Sequence, residues 1–389
     1  EELMFLGGVD GTRQAINFLR DLRDMLKGNT TSAVDITVKW DGAPAIFAGV
    51  DPADGKFFVA KKGLFNKEPA MYKTPADIKK ALSGELAKKF TIALAEFSKL
   101  GIKKGVYQGD MMFTKGDVKI ETIDGQKYYT FQPNTIVYAV PVGTPLGRQI
   151  AKAKIGVVWH TTYTGSTIQN MSAAFGKGIA SKFKKTASIW MDDATYRDIS
   201  GKATFSKEEL SQFDTMLSGA GKLFQKMNGD AFRTITQDEE LRQKVMTFVN
   251  TYVRGSKAFP DSDKMATGLV LYLNEWFQKE IDKKKTEKAK DAWKERRDVL
   301  VNKVAMNKSQ LVAMFSLMKI LVELKGMVIT QLDKTQEVDT LLKTAKGFQV
   351  TKQEGFVAID KLKGGAVKLV DRLEFSRANF SPDIIKGWQ

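Results

Sequence analysis

Short alternating runs of β-type residues crowd the first 164 positions of the chain and return only after position 347, with long helical periodicity in between. The early runs cover 36–40, 45–50 and 57–60, and the polar stretch 51–55 reads as a turn between the last two. After a helix over 76–99, further strands are predicted near 105–108, 118–122, 128–131, 135–140 and 155–159. Before all of these, Asp10 and Thr12 offer cap oxygens to a helix over 10–27 with Ala15, Ile16, Leu19, Leu22 and Leu26 at helical spacing. In the middle block Ser206-Lys207-Glu208-Glu209 is a capping box, followed by Leu210, Phe213, Leu217 and Phe224 on one helix side. Further helices are predicted at 238–253, 265–303 and 308–342, broken mainly at Pro260, and strands resume at 355–359 and 366–375. The expected class is α+β: a core of 1–164 plus 347–389, interrupted by an all-α insertion of 165–346. Neither an internal repeat nor a low-complexity tract is present.

Composition narrows the chemistry. The 389 residues hold no cysteine and one histidine, His160, which removes disulfide frameworks, thiolate zinc sites, Cys nucleophiles and multi-His metal centres. Reaction chemistry therefore falls mainly to Lys, Asp, Glu and Arg, with His160 the one candidate for any His-dependent triad. A net charge of +16 favours a polyanionic partner, because basic surface binds phosphates by releasing condensed counterions. No apolar run is long enough for a membrane span and no leader pattern opens the chain, so a cytoplasmic protein without membrane contact is expected. The first residue is Glu1 rather than Met, which leaves room for residues upstream.

The sharpest local feature is Lys39-Trp40-Asp41-Gly42, where the strand from 36 ends in a tight turn. A lysine there, beside a glycine that lets phosphate approach the backbone, suits a covalent amine nucleophile; the bland alternative is a β-turn with a surface lysine. Other polar clusters follow at strand ends: Lys61-Lys62-Gly63, Gly109-Asp110, Glu354-Gly355-Phe356-Val357 and Val367-Lys368-Leu369-Val370. Taken in order, they resemble the motifs of the covalent nucleotidyltransferase superfamily, the ATP-dependent DNA and RNA ligases and mRNA capping enzymes, and in particular ligase-like proteins of T4-like marine phages. Lys39 to Gly42 is similar to motif I, Lys62-Gly63 to motif Ia, Asp110 to motif III, Tyr138 to motif IIIa, Glu354 to Val357 to motif IV and Lys368 to motif V.

The resemblance implies a nucleotidyltransferase core of antiparallel sheets, an ATP-grasp-like ligase adenylation fold, with ATP and magnesium or manganese as cofactors. Lys39 would become bonded to AMP; Asp110 and Glu354 would serve as metal or ribose ligands; Lys62 and Lys368 would meet phosphate or ribose. Thr37, Asp41, Gly42, Tyr138 and Trp159 would line the nucleotide, the two aromatics competing to stack on adenine. Each has a plainer alternative: a strand-end carboxylate for Glu354, a turn cap for Asp110, a core side chain for Tyr138, a strand threonine for Thr37, a structural hydrogen-bonder for His160. Three departures from the pattern stand out. Ile359 occupies a place that is often lysine, Val370 replaces a second lysine of motif V with Arg372 as its possible substitute, and no counterpart of the family's C-terminal OB domain follows.

The resemblance leaves 165–346 unmatched, and that block is expected to grip nucleic acid, nicked duplex or RNA ends. Two basic clusters are its candidates. Lys283, Lys284, Lys285, Arg296 and Arg297 are interleaved with acids, as on a solvated helix face, whereas Lys177, Lys182, Lys184 and Lys185 have no acid among them. The expected activity is ATP-dependent sealing of 5′-phosphate and 3′-hydroxyl ends. RNA is favoured over DNA by Phe356 and by the run at 133–137. A catalytically reduced nucleic-acid-binding protein and a capping-type guanylyltransferase are the alternatives. Oligomeric state is not legible in the sequence, and if the chain is phage-encoded its compartment is the host cytoplasm.

Overall fold

Elements follow from the two hydrophobic periods in the chain. In the computed structural model, residues 1–27, 34–175, 178–194, 204–227, 229–255, 257–334, 338–345, 347–351, 354–360, 366–381 and 383–387 are described. The first part of the chain runs α1 (Glu2–Leu26), β1 (Val34–Lys39), β2 (Ala45–Val50), β3 (Phe57–Ala60), α2 (Pro75–Ala81), α3 (Gly84–Phe97) and β4 (Val106–Thr114). There follow β5 (Lys119–Ile123), β6 (Gln126–Phe131), β7 (Ile136–Pro141), α4 (Pro145–Lys152), β8 (Ile155–Thr164), β9 (Ser172–Phe175) and β10 (Ile189–Asp193). Six helices come next: α5 (Lys207–Lys226), α6 (Gly229–Gln237), α7 (Glu239–Arg254), α8 (Ser262–Asp282), α9 (Glu287–Met306) and α10 (Lys308–Asp333). The chain closes with β11 (Asp339–Thr344), β12 (Gly347–Val350), β13 (Gly355–Asp360), β14 (Ala366–Leu369) and α11 (Arg372–Phe380). The class is α+β, with mainly antiparallel sheets.

The chain divides into two units, each assembled from three segments. One unit takes Glu1–Val34, Ser200–Lys334 and Ile359–Arg377; the other takes Asp35–Ile199, Thr335–Ala358 and Ala378–Gln389. These boundaries differ from the expected 165 and 346. The N-terminal helix joins the helical unit, while 165–199 and 335–346 belong with the sheets. In the helical unit α10 buries Leu311, Phe315, Met318, Leu321 and Leu324 and packs against α1, α5 and α8, which is why its sequence is apolar on nearly every side. Ser206 caps α5 as its sequence predicts, accepting from Glu209 N–H at 3.1 Å.

In the sheet unit, one sheet has the order β10-β8-β4-β2-β3, with β9 on the edge of β8, and a second has the order β12-β11-β7-β6-β5. Side chains alternate across β4 and β8, so Met111, Val157 and Trp159 face Phe90, Ala93 and Phe97 of α3. A register shift between Met111 and Phe113 breaks the alternation, so Met112 and Phe113, with Val158, both face Phe131, Tyr138 and Val140 of the second sheet. The result is three layers, helix on sheet on sheet. β1 pairs with β13 apart from both. Several elements depart from expectation: β9, β10 and β11 fall where strand signals are weak, and the predicted strand over 366–375 ends at Leu369. No helix among the described residues is long and apolar enough to cross a membrane.

Candidate active site

Lys39 ends β1, and Glu354 stands immediately before β13, its neighbour in the sheet. That pairing brings together two residues from opposite ends of the chain, and the Lys39 ammonium forms an ion pair with a Glu354 carboxylate oxygen. The lysine side chain keeps 30% of its surface open while the glutamate keeps 10%. The amine thus stands at the end of a strand, partly open to solvent and beside a carboxylate.

Asp110 lies on β4 opposite Ala45 of β2 and Val158 of β8, on the strand face that also carries Met112. Burial pushes its carboxyl up to about 7; Lys39 and Lys62 pull it down, and Glu354 and Asp41 push it further up. Lys39, Glu354, Asp41 and Lys62 are thus all close enough to Asp110 to bias its charge. Gly42 makes the approach of the turn to β4 possible, since a Cβ there would lie 2.5 Å from the Asp110 Cβ and 3.0 Å from the Met112 sulfur. His160 Nε2 stands 3.7 Å from Asp110 Oδ2, while its Nδ1 lies 2.7 Å from Thr161 Oγ1. Burial holds the imidazole down at about 4, so it is neutral near pH 7 and forms no ion pair there.

The remainder of the lysine turn is structural. The Asp41 carboxylate is buried and accepts three hydrogen bonds of 2.8 Å, from Asn134 Nδ2, Thr135 N–H and Ile136 N–H. Its own N–H donates to the Tyr138 hydroxyl at 2.7 Å, and burial keeps that phenol protonated. Trp40 packs on Tyr138 with ring centroids 5.2 Å apart. Asp41 is therefore a positioning residue that bolts the turn to the start of β7, rather than the nucleotide contact expected of it. Sequence reasoning missed Asn134 in this role; its place just before an apolar strand is the signal that could have found it.

The other expected site residues divide as follows. Lys62 is exposed on a short helical turn (Lys62–Phe65) and within electrostatic reach of Asp110. Tyr138 and Trp159 are both fully buried, the first against Phe131 and the second between Phe97 and Phe183. Neither has an open face on which a base could stack, so the stacking role falls to neither. Thr37 lies in β1 but its side chain is outside the described residues, as is all of Lys177. Lys368 is exposed on β14 and Arg372 opens α11, both in the helical unit's share of the chain. Arg372 lies 3.6 Å from a Glu1 carboxylate oxygen and 3.8 Å from Glu2, and it also bonds Asn250 Oδ1, so its charge is committed within that unit. It does not stand free as the missing motif V cation.

The two basic clusters part company. In the first, Lys283 pairs with Glu280, Arg296 with Glu240 and Arg297 with Asp298, while Lys284 lies over the Trp293 ring at 4.2 Å. Among the described residues, Lys285 alone of the five has no such partner. This is the solvated, self-neutralised face that interleaved charges favour. In the second, Lys182, Lys184 and Lys185 are exposed and in no ion pair among the described residues.

The site fits a hard divalent cation in one respect. No group of three or more His, Asp or Glu side chains among the described residues is arranged to hold a metal by itself. Magnesium, however, is usually held by one or two protein carboxylates together with substrate phosphates, and the pair Asp110 and Glu354 matches that habit. A cation would also offset the burial, and with it the neighbouring carboxylates, that raise Asp110. Compared with known proteins, the chain matches over residues 1–383 the model of a family described only as a family of unknown function (DUF6267). No curated protein and no solved structure matches it.

Proposed function

We propose that this chain, which belongs to that family of unknown function, is an ATP-dependent polynucleotide ligase whose sheet unit is a nucleotidyltransferase core and whose nucleophile is Lys39. One observation carries the reading: the Lys39–Glu354 ion pair, with the carboxyl of Asp110 close enough to feel both charges. An exposed surface lysine needs no such company. In the proposed step, Lys39 loses its proton to solvent, and its neutral amine attacks the α-phosphorus of ATP. A P–N bond forms, the bond from the α-phosphorus to the bridging oxygen breaks, and pyrophosphate leaves. The AMP then passes to a polynucleotide 5′-phosphate, and a 3′-hydroxyl displaces it to seal the strand. A divalent cation, when bound, supplies charge neutralisation for the triphosphate, and Asp110 and Glu354 are the side chains that would hold it. Lys62, exposed beside them, is suited to a phosphate or ribose oxygen.

The experiment is incubation with α-labelled ATP and magnesium followed by denaturing electrophoresis. Label on the wild type and none on Lys39→Ala supports the proposal; no label on either sinks it. A second reading, a nucleic-acid-binding protein that has lost turnover, draws on the commitment of Arg372 to Glu1 and Glu2 and on the burial of Tyr138 and Trp159. It expects duplex binding without label. Labelled GTP in place of ATP tests the capping alternative, and nicked DNA against nicked RNA decides the strand.

A further inference from the structure

Phe183 draws a basic segment onto the sheet unit. Its ring sits 4.8 Å from Tyr107 and 5.4 Å from Trp159, so the residues around it lie against the end of α3. There the Lys184 N–H donates to the Leu100 carbonyl at 2.9 Å, and a Cβ on Gly101 would lie 3.9 Å from the Cβ of Lys184. Lys103 and Lys104 stand in the loop that leaves Gly101 for β4, two and three positions past that contact. All five side chains are exposed, and none forms an ion pair among the described residues. Of the carboxylates near this segment, Glu96 is buried and already engaged by Lys99 at 2.7 Å and by Ser188 at 2.6 Å, and the buried Asp193 accepts from the Ala180 N–H at 2.8 Å. Like charges gathered without counter-charges repel one another, and a polyanion relieves that repulsion by binding across them.

We infer that this five-lysine face binds the phosphate backbone of the polynucleotide. The identity of the partner rests on the ligase reading; the surface rests on its own geometry. The helical basic stretch over 279–303 offers no comparable surface, because its charges are largely paired.

The test is fluorescence anisotropy of a labelled nicked DNA duplex over a salt series. A variant carrying Lys103→Gln, Lys104→Gln, Lys182→Gln, Lys184→Gln and Lys185→Gln is expected to lose at least about tenfold in affinity at low salt. Its plot of log affinity against log salt should be shallower by about 4. The five matching Lys→Arg changes should restore both, and Lys283→Gln with Lys290→Gln and Lys294→Gln should alter neither. Labelling of Lys39 from ATP alone needs no polynucleotide and should persist in the glutamine variant. Absence of label with lysine-dependent binding intact defeats the ligase reading only. Unchanged affinity and slope in the glutamine variant overturn the surface, as does an equal loss in the variant at 283, 290 and 294. Tighter binding to vesicles of phosphatidylserine than to the duplex overturns it as well.

Discussion

A methyl group at position 42 has no room. Its carbon would press on Asp110 Cβ at 2.5 Å and on the Met112 sulfur at 3.0 Å. Gly42→Ala is therefore expected to cost about 1–3 kcal/mol in urea unfolding, with Lys39 labelling reduced because the turn is pushed off β4. Asp41→Ala leaves Asn134 Nδ2 and the N–H groups of Thr135 and Ile136 without their acceptor, for an expected loss of about 3 kcal/mol by the same measurement. How far these roles can be read in advance depends on distance along the chain. Lys39 to Gly42 is legible because its residues are contiguous and end a strand. The carboxylate of Asp41 looks like a site group until its partners at 134–136 are known, more than ninety positions away. Tyr138 and Trp159 each admit a stacking or a core role from sequence, and only the layers on both sides of their strands decide for the core.

Among elements, caps are the local features that sequence specifies best, since all their atoms lie within one turn. Ser206→Ala removes the acceptor for Glu209 N–H and should destabilise the helical unit by about 1 kcal/mol, seen by thermal unfolding, while leaving Lys39 labelling unchanged. Strands whose pairing is remote are the least legible. The segment Asp339–Thr344 carries two leucines and reads as the end of a helix, yet it is a strand because Leu341 faces Val137 and Leu342 faces Ile136 of β7. The segment Ser172–Phe175 is exposed at every position, so it has no apolar alternation to announce it. The expected strand at 366–375 ends because Asp371 accepts from the N–H groups of Leu373 at 3.1 Å and Glu374 at 3.2 Å, which starts α11.

For the whole molecule, pH acts through two neighbours with opposite signs. Asp110, raised from 3.8 to about 7, holds a proton in the folded state that the unfolded chain has lost, so its contribution to stability falls as pH rises through that window. His160, lowered from 6.5 to about 4, stays neutral where the unfolded chain is protonated, so its contribution falls as pH drops through that window. Over about pH 4 to 6.5 the two slopes offset each other. Asp110→Asn should expose the histidine slope, making urea stability at pH 5 lower relative to pH 8 than in the wild type. His160→Gln should do the reverse, with stability declining from pH 5 to pH 8.

The pairing of β7 with β11 sets an order of events during translation. The strand from Ile136 to Pro141 is made early, yet its neighbour begins at Asp339, about 200 residues later. At ribosomal speeds of about 5–20 residues per second, the nascent chain carries that apolar edge uncovered for roughly 10 to 40 seconds. Unpaired edges of this kind recruit other chains, so the nascent chain is open to mispairing along β7 until β11 is made. Products that stop short of Asp339 should collect in inclusion bodies, even though they already contain Lys39 and Asp110.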